Sequence, residues 1–465
     1  MTRPGDGETT PLPVNWSQMK KRVRQVAELA SRVSSGETTD RSLLERFRQH
    51  CGELTPEQRL ELFHWLSAEF EITFGRIEEP LARMRSASEL DRVGWNEKVR
   101  ELRKAVASPR QRLLEGLINT TGGMEFVLEL RAEILDAQKN GEAGLEALEE
   151  DIAHLLNRWC QHGFLFLEEI DFASSFETIK FLKDREMVHP MVGLEEMGQR
   201  LGEDRMCFAL YHVVMPEEPV VFIEVALSRG LLRSIHDVIK EGGGARRPIK
   251  SPDTAIFYSI NNTQNGLAGL GLGKVLIARV TEALHERHPS LKTYSTLSPI
   301  PGFWPRYLRP ILEGKDERFK IKRADVIKRI PVKSQQAIYD RYRDLGGEAD
   351  QLAEVLLAVL ARPAWIEDSV FPRCLQKPLI DLAYTYIAEE KDSRGRPLNP
   401  VAGFHLGNGA RVARSNINFA ANTSARGLEE SCGLMVNYVY SQKALGPIGR
   451  AVRSLLPWGR RAPHS

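Results

Sequence analysis

The sequence lacks any apolar run approaching the roughly 20 residues needed to cross a bilayer, so no membrane span is expected. It also lacks a dominant charge: 64 Lys and Arg balance 62 Asp and Glu, leaving a net charge of +2 and a pI near 8.2. That balance gives no reason to expect a nucleic-acid partner, and cationic groups serving an anionic ligand must be local. Cysteine is scarce. Cys51, Cys160, Cys207, Cys374 and Cys432 are scattered, odd in number and without metal-ligand spacing, so they read as buried thiols in a reducing compartment and no metal site is expected. A secretory signal is missing too. The opening MTRPGDGETTPLP is rich in Pro and Gly and carries Asp6 and Glu8, which suits a disordered leader over 1–15 and argues against a mitochondrial transit peptide. The chain ends in PHS where a peroxisomal address would read SKL, and the basic end over 446–465 reads as a flexible tail. These absences favour a bacterial cytoplasm.

What is present describes a globular protein of two or three domains, with 42% hydrophobic and 27% charged residues over 465 positions. From Trp16 to about Glu169 apolar residues recur at three- and four-residue steps, as in Leu43, Leu44, Phe47 and in Leu60, Phe63, Leu66, Phe70. Helix starts are marked by Thr55-Pro56-Glu57 and Ser108-Pro109, each a capping residue before a first-turn proline. This predicts an all-helical domain over 16–185. After His189-Pro190 the period shifts. The runs RMCFALYHVV at 205–214 and VVFIEVA at 220–226 read as an antiparallel strand pair joined by an MPEEP loop, and 228–238 returns to helix. EGGGARRPIKSPD at 241–253 reads as a flexible connection, and 325–361 as a helical insertion.

The stretch NTQNGLAGLGLGK at 262–274 follows a short strand, TAIFYSI, and leads directly into an amphipathic helix. Glycines between a strand and a helix free backbone N–H groups to converge on the helix N-terminus, an arrangement that cradles phosphate. Lys274 is followed by Val275, which excludes the GKS or GKT loop of nucleotide hydrolases. A strand-to-helix turn without a ligand is the other reading of this stretch. Further on, the strand LKTYSTL at 291–297 ends in Ser298-Pro299-Ile300-Pro301-Gly302-Phe303, where two prolines stiffen its exit. Ser298 there either presents its hydroxyl to a site or merely starts a turn. His405 lies in VAGFHLGNGA, and its neighbours Gly407, Asn408 and Gly409 would let backbone amides approach a ligand closely.

Three stretches together, AGLGLGK, STLSPIPGF and NPVAGFHLGNGARVARSNINFAANTSARGLEESCGLMVNYVY, resemble the malonyl-CoA decarboxylase family over most of 190–440. The resemblance implies an α+β protein: a helical N-terminal domain used in oligomerisation, then an acetyltransferase-like (GNAT) α/β domain with a mixed sheet over 186–445, carrying a helical insertion at about 305–370. It implies decarboxylation of malonyl-CoA to acetyl-CoA and carbon dioxide without metal or organic cofactor, in a homotetramer built as a dimer of dimers. The family's catalytic serine and histidine fall on Ser298 and His405, and its coenzyme A loop on Ala268, Gly269, Leu270, Gly271, Leu272, Gly273 and Lys274. A family tyrosine near the active site matches Tyr440, and Asn408 stands as a possible supporting residue. One departure is Gly271, where animal members carry an acid.

From the chemistry, loss of carbon dioxide leaves an enolate, so the site must stabilise charge on the thioester oxygen and then protonate the α-carbon. With an ordinary pKa near 6.5, His405 is expected to hold a proton at modest cost near neutral pH and deliver it, while Ser298 bonds both the malonyl carboxylate and His405. Accounts of the family also make the serine a proton acceptor, and the sequence leaves both roles open. Two other functions fit the same stretches: an acyltransferase using the same loop, and a non-catalytic acyl-CoA-binding regulator.

Overall fold

The computed structural model describes residues 21–34, 41–72, 74–85, 92–106, 108–202, 204–239 and 249–440. The expected leader at 1–15, the tail at 446–465 and most of the connection at 241–253 lie outside the described residues. The chain forms two units. Unit 1 comprises Met1–Phe166, Tyr211–Val220 and Asn262–Leu272, and unit 2 comprises Leu167–Leu210, Val221–Asn261 and Gly273–Ser465.

Unit 1 is built from the helices that the apolar periodicity predicts: α1 (Lys21–Ser34), α2 (Arg41–Gly52), α3 (Pro56–Glu69), α4 (Phe74–Arg85), α5 (Arg92–Ala105), α6 (Pro109–Ile118), α7 (Gly123–Lys139) and α8 (Glu146–Trp159). On α1 the stripe Val23, Val26, Ala27, Ala30 and Val33 is buried, the face that a 3.6-residue period would turn inward. Thr55 starts α3 through a full capping box with Gln58, satisfying two donors that a helix end otherwise leaves orphaned. Ser108 also occupies the position before a helix, but its side chain makes no capping bond.

Unit 2 carries β1 (Leu165–Ile170), α9 (Phe176–Arg185), α10 (Leu194–Gln199), β2 (Arg205–His212), β3 (Met215–Ser228), α11 (Ile235–Val238), β4 (Thr254–Asn262), α12 (Leu272–Arg287), β5 (Thr293–Thr296) and β6 (Ser298–Pro299). It continues with α13 (Arg309–Leu312), α14 (Arg323–Lys328), α15 (Val332–Asp344), α16 (Leu352–Leu360), α17 (Phe371–Tyr384), α18 (Pro400–Gly407), β7 (Ala410–Arg411), β8 (Ile417–Asn418), α19 (Ala425–Ser431), β9 (Met435–Val436) and β10 (Val439–Tyr440). A few of these elements have an end in unit 1. The main sheet runs β1-β2-β3-β4-β5-β10-β7, and a small sheet runs β6-β9-β8. The main sheet is mixed, because β4 pairs parallel with β5 while β10 pairs antiparallel with β5 and β7. The architecture is therefore a helical unit followed by an α/β unit.

Three expectations need correction. Residues 165–169 were expected to be helical, yet they form β1, whose apolar-then-acidic stretch LFLEEI satisfies its backbone as an edge strand of the main sheet. MPEEP is not a loop but the start of β3; the turn is only Val213 and Val214, so the two strands form a tight hairpin. Helix was also expected over 228–238, whereas only Ile235–Val238 is helical. There Ser234 caps the short turn and Ile235 and Val238 join a core cluster with Ile256, Tyr258, Leu297 and Met435. Among the described residues no helix is long and apolar enough to cross a membrane.

Candidate active site

Ser298 is fixed by the strand it ends. β6 pairs with β9, setting Ser298 opposite Val436 and Pro299 opposite Met435; as the edge strand of that small sheet β6 can carry a proline, which has no N–H to donate. Beyond it Gly302 has φ +76, and its N–H donates to Glu430 Oε2 at 2.9 Å. The serine hydroxyl donates to Thr296 Oγ1 at 2.9 Å, and the backbone N–H of Tyr438 reaches the same oxygen at 3.1 Å.

His405 comes from the last turn of α18. Asn399 caps that helix by accepting from the Ala402 N–H at 2.9 Å, Pro400 fills its first turn, and the Asn399 amide donates to the Pro301 carbonyl at 3.0 Å. The residue that starts the histidine helix thus also grips the exit of the serine strand. Across that bridge His405 Nε2 lies 3.4 Å from Ser298 Oγ, and its Nδ1 lies 2.8 Å from the hydroxyl of Tyr440. Tyr438 stacks on the imidazole with centroids 4.7 Å apart. Tyr438 and Tyr440 are two residues apart on an extended chain, so both reach the same face.

The hydrogen-bond count assigns the proton. Ser298 has one hydroxyl proton and gives it to Thr296, so toward His405 it can only accept. Nε2 therefore carries the N–H, and Nδ1 accepts from Tyr440. Burial reinforces this neutral state: His405 is 5% exposed, and removal from water pulls its pKa down to about 3. The expectation that His405 holds a proton near neutral pH at modest cost is thus corrected, because a charged imidazole in this dry position would lose its hydration without gaining a carboxylate. Burial likewise pushes the Tyr440 and Tyr438 phenols up, so both remain protonated.

Asn408 does not join this group through its side chain. It ends α18, where its backbone N–H reaches the carbonyls of Phe404 and His405. The residues that the sequence reading missed are Thr296, Asn399 and Tyr438. Only Asn399, placed before Pro400, carries a local signal, that of a helix cap.

The glycine stretch is a turn whose buried and exposed residues alternate. Leu270, Leu272 and Gly273 are buried, whereas Ala268, Gly269, Gly271 and Lys274 are exposed, so leucines anchor it while Gly269 and Gly271 face outward. Gly269 and Gly271 have φ +77 and +71, conformations open to glycine. Gly273, in unit 2, lies against Phe404: a Cβ there would sit 2.7 Å from Phe404 Cζ. The end of the turn therefore packs on the ring adjacent to His405. Among the described residues no group of three or more His, Cys, Asp or Glu could hold a metal ion.

Comparison with known proteins gives the family of the chain. Residues 163–447 match the malonyl-CoA decarboxylase C-terminal domain, and residues 74–160 match the malonyl-CoA decarboxylase N-terminal domain. The chain is 32% identical over 413 residues to the mitochondrial malonyl-CoA decarboxylase of Anser anser anser, a match covering 86% of this chain and 78% of that one. It is 33% identical over 403 residues to the Rattus norvegicus counterpart, covering 84% and 77%. Among solved structures, the malonyl-CoA decarboxylase of Agrobacterium vitis superposes with a TM-score of 0.73 at 30% identity, covering 95% of this chain and all of that one. That of Rhodopseudomonas palustris gives 0.73 at 27% identity, covering 93% and 96%. With both domains matched in order and the sequence likeness running through most of its length, the chain belongs to the malonyl-CoA decarboxylase family.

Proposed function

We propose that this protein is a carboxy-lyase that converts malonyl-CoA to acetyl-CoA and carbon dioxide. The observation that carries the reading is the meeting of Ser298 and His405, 107 positions apart, at 3.4 Å in a buried site. The coenzyme A moiety is assigned to the turn formed by Ala268, Gly269, Leu270, Gly271, Leu272, Gly273 and Lys274, whose exposed glycines supply backbone donors and whose Lys274 adds a local positive charge. No metal or organic cofactor is assigned, since the thioester carbonyl itself accepts the electron pair.

In the proposed reaction the bond between the carboxylate carbon and the α-carbon breaks, carbon dioxide leaves, and the electron pair moves into the thioester to form an enolate. When substrate binds, the Ser298 hydroxyl turns its proton from Thr296 to the carboxylate and holds that group out of the thioester plane, where the breaking bond overlaps the carbonyl π system. The Nε2–H of His405 is then the nearest proton to the α-carbon. As it transfers, Nδ1 takes the proton of Tyr440; water then reprotonates Nε2 and the Nδ1 proton returns to Tyr440, so the cycle consumes one proton and leaves the residues unchanged. A neutral imidazole as donor suits the acceptor, because an enolate carbon is a strong base and needs no imidazolium.

We further assign self-association as a homotetramer to the helical unit, in a bacterial cytoplasm. Supporting the first point, no residue of α4 is buried within the single chain, although it carries Ile77, Leu81 and Met84. The test of function is incubation with malonyl-CoA and no acyl acceptor, with products read by mass spectrometry. Acetyl-CoA in equimolar yield with carbon dioxide is expected. Intact malonyl-CoA that disappears only when an amine or hydroxyl acceptor is added would make the protein an acyltransferase, and no consumption under either condition would make it a binding protein.

A further inference from the structure

Helix α7 touches the glycine turn, inside unit 1, in two places. Gly266 approaches it so closely that a Cβ would sit 2.1 Å from the carbonyl oxygen of Leu128. One turn further along, Arg131 is 4% exposed and directs Nη1 to the carbonyl oxygens of Gly266 at 2.5 Å and Ala268 at 2.7 Å. Its Nε and Nη2 donate to Glu149 Oε1 at 3.0 and 2.7 Å. The guanidinium is thus matched by a carboxylate within the unit, and its free fork is spent on two backbone carbonyls.

Those carbonyls decide the shape of the turn. Ala268 has φ −58 and ψ 135, Gly269 has φ +77, and the Leu270 N–H returns to the Leu267 carbonyl at 3.3 Å. This is a type II turn with glycine in the position that requires positive φ. Types I and II differ by a half-rotation of the peptide between the two central residues. In a planar trans peptide the C=O and N–H point in opposite directions. Because Arg131 draws in the Ala268 carbonyl, the Gly269 N–H faces away from Arg131, and residues 268 and 269 are exposed. Release of that carbonyl would let the peptide rotate and set an oxygen where the N–H had been.

We propose that Arg131 is a positioning residue for the diphosphate of the thioester substrate: by holding the Gly266 and Ala268 carbonyls it fixes the peptide that presents the Gly269 N–H to a phosphate oxygen. This rests on the assignment of the glycine turn to coenzyme A. Arg131 itself does not contact the ligand, and its effect is carried by the backbone.

The test compares malonyl-CoA with malonyl-pantetheine, a thioester of the same acyl group without the diphosphate. Two variants are used: Arg131→Lys, whose single ammonium cannot span Glu149 and both carbonyls, and the double change Arg131→Met with Glu149→Met, which leaves no buried charge unpaired. Both are expected to raise KM for malonyl-CoA about tenfold, the scale of one lost hydrogen bond to a charged group, with kcat within about twofold. With malonyl-pantetheine the variants should match the unaltered protein in kcat/KM. Equal losses on both thioesters, or no change on either, would overturn the role of Arg131; if either variant fails to fold, the other decides. If the unaltered protein itself turns over the two thioesters with equal kcat/KM, the assignment of the turn to coenzyme A is what fails.

Discussion

The hydroxyl of Tyr440 lies 2.8 Å from Nδ1 of His405, on the opposite edge of the ring from Ser298. This relationship holds the imidazole in the tautomer whose Nε2–H faces the serine, and it places a second proton behind the first. Tyr440→Phe removes that donor and leaves Nδ1 buried without a partner. We expect kcat to fall by roughly 10²-fold, the lower end of what positioned proton transfer contributes, with KM little changed. Steady-state kinetics with malonyl-CoA check it; a kcat within twofold of the unaltered protein would remove Tyr440 from the proton path.

The pair itself makes a stronger prediction. His405→Asn should lower kcat by about two to four orders of magnitude while coenzyme A still binds, because the change removes the transferred proton but not the turn. Ser298→Ala should behave similarly. Calorimetric titration with coenzyme A alongside single-turnover assays separates the effects, and a Ser298→Ala change confined to KM would reassign that serine to ground-state binding.

Acid should act on stability through His405, and the sign follows from its depressed pKa. Below the ordinary value of 6.5 the unfolded chain binds a proton at this position, whereas the folded chain binds one only near pH 3. The stabilisation from a neutral, buried imidazole is therefore complete above pH 6.5 and is lost progressively as pH falls toward 3. His189, whose burial brings its pKa to about 3 as well, acts in the same direction. Between pH 7.5 and 4.5 the unfolding free energy of His405→Asn should improve relative to the unaltered protein by about 3 kcal/mol, which denaturant titrations at the two pH values would measure. A constant difference would mean that the imidazole titrates in the fold as it does in the unfolded chain, and a change of the opposite sign that it is protonated in the fold.

Gly273→Ala sets two effects against each other. Alanine is favoured over glycine in a helix by up to about 1 kcal/mol, whereas forcing a Cβ into packed space costs about 1–3 kcal/mol. At 2.7 Å from Phe404 Cζ the second should prevail, and displacement of that ring acts on the neighbouring His405. We expect lower thermal stability together with a reduced kcat. Gly271→Ala is the comparison: no heavy atom lies within 4 Å of its Cβ position, so only the backbone strain of φ +71 applies.

Local signals were legible where local physics decides. The cap at Thr55 and the apolar stripe Leu43, Leu44 and Phe47 of α2 are contained within a few turns of chain, and the sequence reading placed them correctly. MPEEP misled because two prolines and two acids carry the composition of a loop, yet the segment extends a hairpin whose turn is already complete at Val213 and Val214. At β1 the apolar and acidic residues fit a helix face as well as a strand, and only pairing beside β2 settles the matter. Nothing in the residues around Thr296 marks it as the acceptor of the Ser298 proton; the two are only two positions apart, and the bond depends on how the chain passes from β5 into β6.

By itself the sequence determined the order of the units, the strand–glycine turn–helix segment and the two stretches that carry Ser298 and His405, because these follow from side-chain periodicity and from the conformational freedom of glycine and proline. Tertiary structure alone decided that the imidazole is neutral, which nitrogen bears its proton, and that an arginine from α7 sets a peptide in the glycine turn. Protonation depends on how much water and charge surround a group, and a hydrogen bond depends on distance in space; residues separated by more than a hundred positions acquire both only when the chain has folded.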